Sequence, residues 1–275
     1  MRRAALLHRR TAVRYASGGN GDRSPWLPSA ALKKVSEGQR SAFFTLLRVH
    51  DFLIPADEET ASSSVDALGR PAGEGVEVAE RVKRHAAEEC DALIAKHADL
   101  LPEGCERAPA HLQMAALAIS AHRAMLREAS NLDYYGYAGE DHLLCRRVVA
   151  GALGVHAEAD GSPPHGSPVM WLPNRVALTL TFDKDKVLRR MVDNFAIDLG
   201  RAFELEPLEP APSCRMKHCL YTEVLRAEGE PLLMPIFGAL HGATFAGVPG
   251  YEFEPPEFDE AGVGCTFWFG RGGGD

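Results

Sequence analysis

The sequence predicts an α+β protein: an N-terminal layer of helices packed on a small mixed or antiparallel sheet built by the C-terminal half. Three observations lead there. Apolar residues recur at helical spacing through three long segments between Val76 and Gly154. The period then changes to two, with Val176, Leu178, Leu180 and Phe182 alternating with Ala177, Thr179 and Thr181. Helices precede strands rather than alternating with them, which separates the pattern from a parallel α/β sheet.

Each element has its own signal. Leu32, Val35, Phe43, Phe44 and Leu47 give a short helical pattern within Ala30 to Leu53, closed by Pro55. Val76 to Leu101 reads as an amphipathic helix, with Ala79, Val82, Ala86, Cys90, Leu93 and His97 on one stripe. His111 to Ala129 is apolar almost all round, so it belongs at the centre of its layer, and His122 and Arg123 are polar intruders there. Gly139 to Gly154 is a third helix, stopped by its last glycine. Arg175 to Phe182 reads as a strand, and a helix follows through Phe203, capped by Asp183 or Asp185. Glu204 to Glu209 and Cys214 to His218 are strand candidates, Leu220 to Ala227 and Leu232 to Phe245 are helical, and Tyr251 to Phe253 and Val263 to Phe269 close the sheet. Asp133 to Tyr137 is an aromatic turn, either a packing plug or one wall of a pocket.

The organisation follows from composition. Residues 1–21 carry five arginines and no acid, which reads as a transit peptide with a processing point near Arg14 to Ser17. The expected location is mitochondrial, with plastid or cytoplasm as alternatives. Residues 22–75 read as a poorly structured extension and linker, residues 76–270 as one α+β domain, and 271–275 as a tail. The net charge of -8 disfavours a nucleic-acid partner, and no apolar run reaches the roughly 20 residues that span a bilayer. The partner expected is a small-molecule substrate. Six cysteines spread over 275 residues, with no C-x-x-C, read as free reduced thiols.

The chemistry concentrates at Ser213 to Glu223, where a strand hands over to a helix. Cys219 at that corner faces free backbone N–H groups and the positive end of the helix dipole, with Lys217 and His218 adding positive charge and Glu223 opposing it. A thiol so placed is a candidate nucleophile, and the alternative is a packing cysteine. His241, in an apolar helix, is the candidate general base. Tyr221, His122, Arg123 and Cys265 are candidate substrate-binding residues; an arginine at 123 or 175 has the fork that grips a carboxylate. Cys265 shares a strand face with Phe267 and Phe269, as a packing thiol or a pocket floor. No metal is expected: Cys214-x4-Cys219 followed by distant single donors fits no standard zinc spacing. There is no Gly-rich phosphate loop and no G-x-S-x-G, so no cofactor and no serine elbow are read.

Two stretches carry a family resemblance. The helix His111 to Arg127 (His-Leu-Gln-Met-Ala-Ala-Leu-Ala-Ile-Ser-Ala-His-Arg-Ala-Met-Leu-Arg) and the run Cys219, Gly229-Glu230-Pro231, Phe237 to His241, then Gly262 to Phe269, resemble the L-2-amino-thiazoline-4-carboxylic acid hydrolase family. The resemblance covers His111 to Gly270 and implies hydrolysis of a cyclic C–N bond in a small heterocyclic carboxylic acid. It also brings a departure. The family's Cys-x-x-Asp stands here as Gly238-x-x-His241, and the Asp after its last Cys is Thr266. A non-catalytic ligand-binding or assembly protein on the same fold is therefore the alternative. A weaker similarity, in Cys214-x4-Cys219 and the Gly-Cys-Thr-Phe-Trp-Phe-Gly ending, is to the iron-binding carotenoid isomerases related to DWARF27, and implies a metal-dependent isomerase.

Overall fold

Seven α-helices and two antiparallel sheets form among the described residues. A computed structural model describes residues 29–47, 74–130, 138–156, 165–166, 176, 180, 183–209, 212–243, 245, 251–254 and 266–269. The transit-peptide reading of 1–21, the aromatic turn at 133–137, Arg175, Cys265 and the 271–275 tail lie outside them.

The helical layer is α1 (Ser29–Leu46), α2 (Glu74–Lys96), α3 (Ala108–Ser130) and α4 (Ala138–Ala152). On α2, Val78, Val82, Ala86, Cys90 and Leu93 are buried while Glu80, Arg84 and Glu88 face solvent, the two-sided pattern that the sequence requires. On α3 every residue from Ala115 to His122 is buried. Its alanines let neighbours approach closely, and α1, α2, α4 and a later helix all pack on it. Gly154 ends the α4 segment at φ 77°, a conformation that favours glycine.

The C-terminal half is α5 (Lys184–Leu199), a strand pair, two more helices and two closing strands. Asp183 caps α5, its side chain accepting from the Lys186 N–H at 3.0 Å. Strands β3 (Phe203–Pro207) and β4 (Cys214–Cys219) pair antiparallel, α6 (Leu220–Ala227) follows without a break, and α7 (Met234–Ala243) comes after a tight turn at Pro231–Leu233. Strands β5 (Tyr251–Glu254) and β6 (Thr266–Phe269) complete a four-stranded sheet in the order β3-β4-β6-β5. A small ribbon pairs β1 (Val155–His156) with β2 (His165–Gly166) and touches α7. The fold is α+β, and every strand pairing among the described residues is antiparallel.

One irregularity places the site. Phe203 pairs with Cys219 and Glu204 with His218, but Leu205 pairs with Met216, so Lys217 is an extra residue in β4. Strict alternation from the buried Cys214 and Met216 sends Cys219 to the opposite face. The bulge adds one residue and reverses that parity, so Cys219 is buried on the same side as Cys214 and Met216. Lys217 points outward and pairs with Glu206 at 3.1 Å.

Three expectations are corrected. Residues 22–75 are not uniformly poorly structured: α1 forms within them, and its Phe43 and the Leu47 just after it are buried in the common core. Its Arg40 ties it to α2 through Asp91 and through the Ala87 carbonyl, at 3.2 Å. The strand over 175–182 does not hold at its two described positions. The Leu180 N–H donates to the Val176 carbonyl at 3.0 Å, a helical turn, and both side chains are exposed, so alternation there did not report a buried sheet face. The helix expected through Phe203 ends at Leu199, because Gly200 takes φ 65° and turns the chain into β3.

Gly229, at φ 69°, forms the turn after α6, with open space around its missing side chain. Gly229→Ala therefore meets no clash but keeps a left-handed backbone. It should lower unfolding free energy by about 1 kcal/mol in urea titrations.

Candidate functional site

The strand-helix corner forms as the sequence predicts, yet its thiol is not activated. Cys219 is the residue preceding α6 and is buried. Burial raises its pKa; contacts from the Thr222 N–H and hydroxyl and the Tyr221 N–H lower it, and nearby Glu223 raises it. Burial wins, because the sulfur makes no capping hydrogen bond of ordinary geometry and the helix-end donors act weakly. The lowered pKa expected for Cys219 is thus reversed. His218 turns away from the thiol toward Glu223, at 3.4 Å.

His241 is 4 % exposed, and neither ring nitrogen has a hydrogen-bond partner. It stacks on Tyr221 (centroids 5.4 Å, 31° between planes) and meets the edges of Phe195 and Phe203 at 5.8 and 5.7 Å. Burial in this aromatic cage, with a smaller contribution from His111, lowers its pKa to about 3. The expected base and nucleophile therefore share no hydrogen bond, and the imidazole is a poor proton acceptor. Phe237, fully buried, lies on the other neighbour of this cluster, 4.3 Å from the Tyr221 ring.

Arg123 and His122 reach into the protein rather than into a substrate site. Arg123 donates to Glu230 Oε1 at 2.9 Å, Glu89 Oε1 at 3.0 Å and the Glu228 carbonyl at 2.6 Å, and its Nη1 lies 3.0 Å from Glu228 Oε2. His122 Nδ1 is 3.0 Å from Glu230 Oε2. Glu228 also meets His97 at 2.6 Å and Lys96 at 2.7 Å. Burial alone raises Glu228, but the bonds from Lys96, His97 and Arg123 bring it to about 2. This network fastens the turn after α6 to α2 and α3. Sequence reasoning missed Glu228 and Glu230 as its anchors; the signal was an acid on each side of Gly229 opposite the only charged residue in the apolar middle of α3.

Tyr221 is where the expected residues do converge. Its hydroxyl lies 2.7 Å from His111 Nδ1 and 3.7 Å from Met114 Sδ, and its ring contacts His241, Phe237 and Phe203. Among the described residues no three His, Cys, Asp or Glu side chains cluster as metal donors, so the donor set that the isomerase similarity implies does not assemble there. Cys90, Cys105, Cys145, Cys214 and Cys219 are buried and in no disulfide, and burial pushes Cys90 and Cys214 up to about 12.

A cavity of about 320 Å³ lies beside this corner. Helix α1 supplies Gln39, Ala42, Phe43 and Leu46, α3 supplies Gln113, Met114 and Leu117, and Ala152 to Gly154 and Leu240 close it. Among the described residues no charged side chain lines it. Among the described residues no helix is long and apolar enough to cross a membrane. Comparison with family models, curated proteins and solved structures found no match to this chain.

Stability should fall as pH drops from about 6.5 toward 3, because the unfolded His241 takes up a proton that the folded one refuses. His241→Phe should flatten that slope and raise stability at neutral pH by about 1 kcal/mol, since it removes an unpaired polar group, as read by urea unfolding across pH. Arg123→Ala should cost about 2–3 kcal/mol by leaving Glu228 and Glu230 short of partners. The Glu228 contribution itself is present above about 4.5 and lost as pH falls toward 2.

Proposed function

We propose that this chain is a non-catalytic ligand-binding protein that takes a small, neutral, mainly apolar molecule in the cavity between α1, α3 and α4. The observation that carries this reading is the buried corner. Cys219 is 3 % exposed, and Phe237 and His241 pack against the ring of Tyr221 two residues on, which leaves the thiol little open surface for ring-opening chemistry. The neighbouring cavity has the size of the smaller ligand pockets, at the lower end of roughly 300–1,000 Å³, and an uncharged lining. A charged ligand entering it would lose hydration without gaining a partner.

The test uses prodan, a neutral naphthalene with one ketone whose emission moves to the blue in apolar surroundings. Saturable one-to-one binding with a blue shift is expected. Ala42→Trp, on the exposed rim of the cavity, should abolish it while leaving thermal unfolding near wild type. Binding unaffected by Ala42→Trp would remove the cavity from the proposal.

A second reading is hydrolysis of a cyclic C–N bond, by resemblance to the thiazoline carboxylic acid hydrolases. What favours it is the set of N–H groups of Tyr221 and Thr222 near the Cys219 sulfur, the type of donor that stabilises a thiolate. Ring opening of the amino-thiazoline carboxylate should then be lost in Cys219→Ala; equal activity in both proteins, or none in wild type, removes this reading.

A further inference from the structure

Met114 belongs to two environments at once. It lines the apolar cavity, and its sulfur lies 3.7 Å from the Tyr221 hydroxyl. It is thus the partition between the cavity and the buried corner. Behind it, Tyr221 is 1 % exposed and its oxygen lies 2.7 Å from His111 Nδ1. A phenol has one proton to donate. With the proton of His111 on Nδ1, that histidine donates to the phenol oxygen and the Tyr221 O–H is aimed at a thioether, a weak acceptor. Burial raises the Tyr221 pKa, so the proton stays in place. Met114 is unbranched and polarizable, the residue type that most readily turns aside.

We infer that Tyr221 is the polar recognition group of the cavity: with Met114 turned aside, its hydroxyl donates to a neutral carbonyl on a ligand whose apolar body fills the space beside α1. This rests on the reading of the cavity as a ligand site and adds what that ligand must carry. A ketone, ester or amide oxygen replaces the sulfur as acceptor, so the buried donor exchanges a weak bond for an ordinary one. Hydrocarbons of the same shape gain nothing at this point. Among the described residues no cation lines the space to pair with a carboxylate. In the other tautomer of His111 the phenol proton is held by the histidine and the cavity has no donor at this position, an arrangement that the experiment separates from the first.

Prodan, bound to the full chain, reports both affinity and hydrogen bonding to its ketone, because a donor moves its emission to the red. Tyr221→Phe should weaken binding about three- to tenfold, the loss of one ordinary hydrogen bond. It should also shift the emission of the bound dye further to the blue. Equal affinity and equal emission in Tyr221→Phe overturn the inference and leave the cavity reading standing. Absence of dye binding to wild type, or binding indifferent to Ala42→Trp, overturns both. Met114→Ala supplies an independent arm should Tyr221→Phe not fold. Removing the competing sulfur is expected to keep or tighten binding and move the emission to the red, and weaker binding without a red shift counts against the assignment.

Discussion

Helix α3 has almost no face in water along its middle, so each polar side chain on it needs a partner inside the protein. That constraint organises the rest. His111 is answered by Tyr221, His122 by Glu230, Arg123 by Glu89, Glu228 and Glu230, and Glu128 by Arg81 at 3.0 Å. The partners come from α2 and from α6 and its turn, so satisfying α3 also fixes how the C-terminal half sits against the helical layer. Apolar contacts alone would allow several rotations of a helix so rich in alanine; the polar anchors select one.

The same constraint explains why residues that look like chemistry became structure. An arginine and a histidine side by side in an apolar helix match a carboxylate-binding pair, and they do bind carboxylates, those of this chain's own glutamates. His241 is the opposite case. It occupies an apolar cage with no partner for either nitrogen, which costs stability and leaves the ring uncharged. Cys219 feels the helix end, but desolvation outweighs it. In each instance the residue type was informative and the degree of burial decided what it does.

Much of the fold was legible. Periodicity located α2 and α3, a polar residue marked the start of α5, and α6 was read to the residue. What escaped were features set by distant contacts. A lone alternating run at 175–182 cannot reveal whether a strand partner exists, and its two described positions are exposed and joined by a hydrogen bond of helical spacing. The depth of α1 in the core follows from Phe43 meeting the helical layer, which a local pattern does not encode. For the site, Tyr221 was legible from its place in the first turn of α6, while its link to Met114 joins residues 107 positions apart. Cys265 and Arg175 fall outside the described residues.

The bulge at Lys217 gives the corner an unusual kind of dependence. Which side chains meet there is determined by where the strand bulges as much as by their identity. With Lys217 drawn into a regular ladder instead of bulging, simple alternation would carry the cysteine and the helix it leads into to the opposite face. Every side chain of the corner could be retained and the corner itself lost. In this protein, the bulge is information that a residue-by-residue comparison of the corner would overlook.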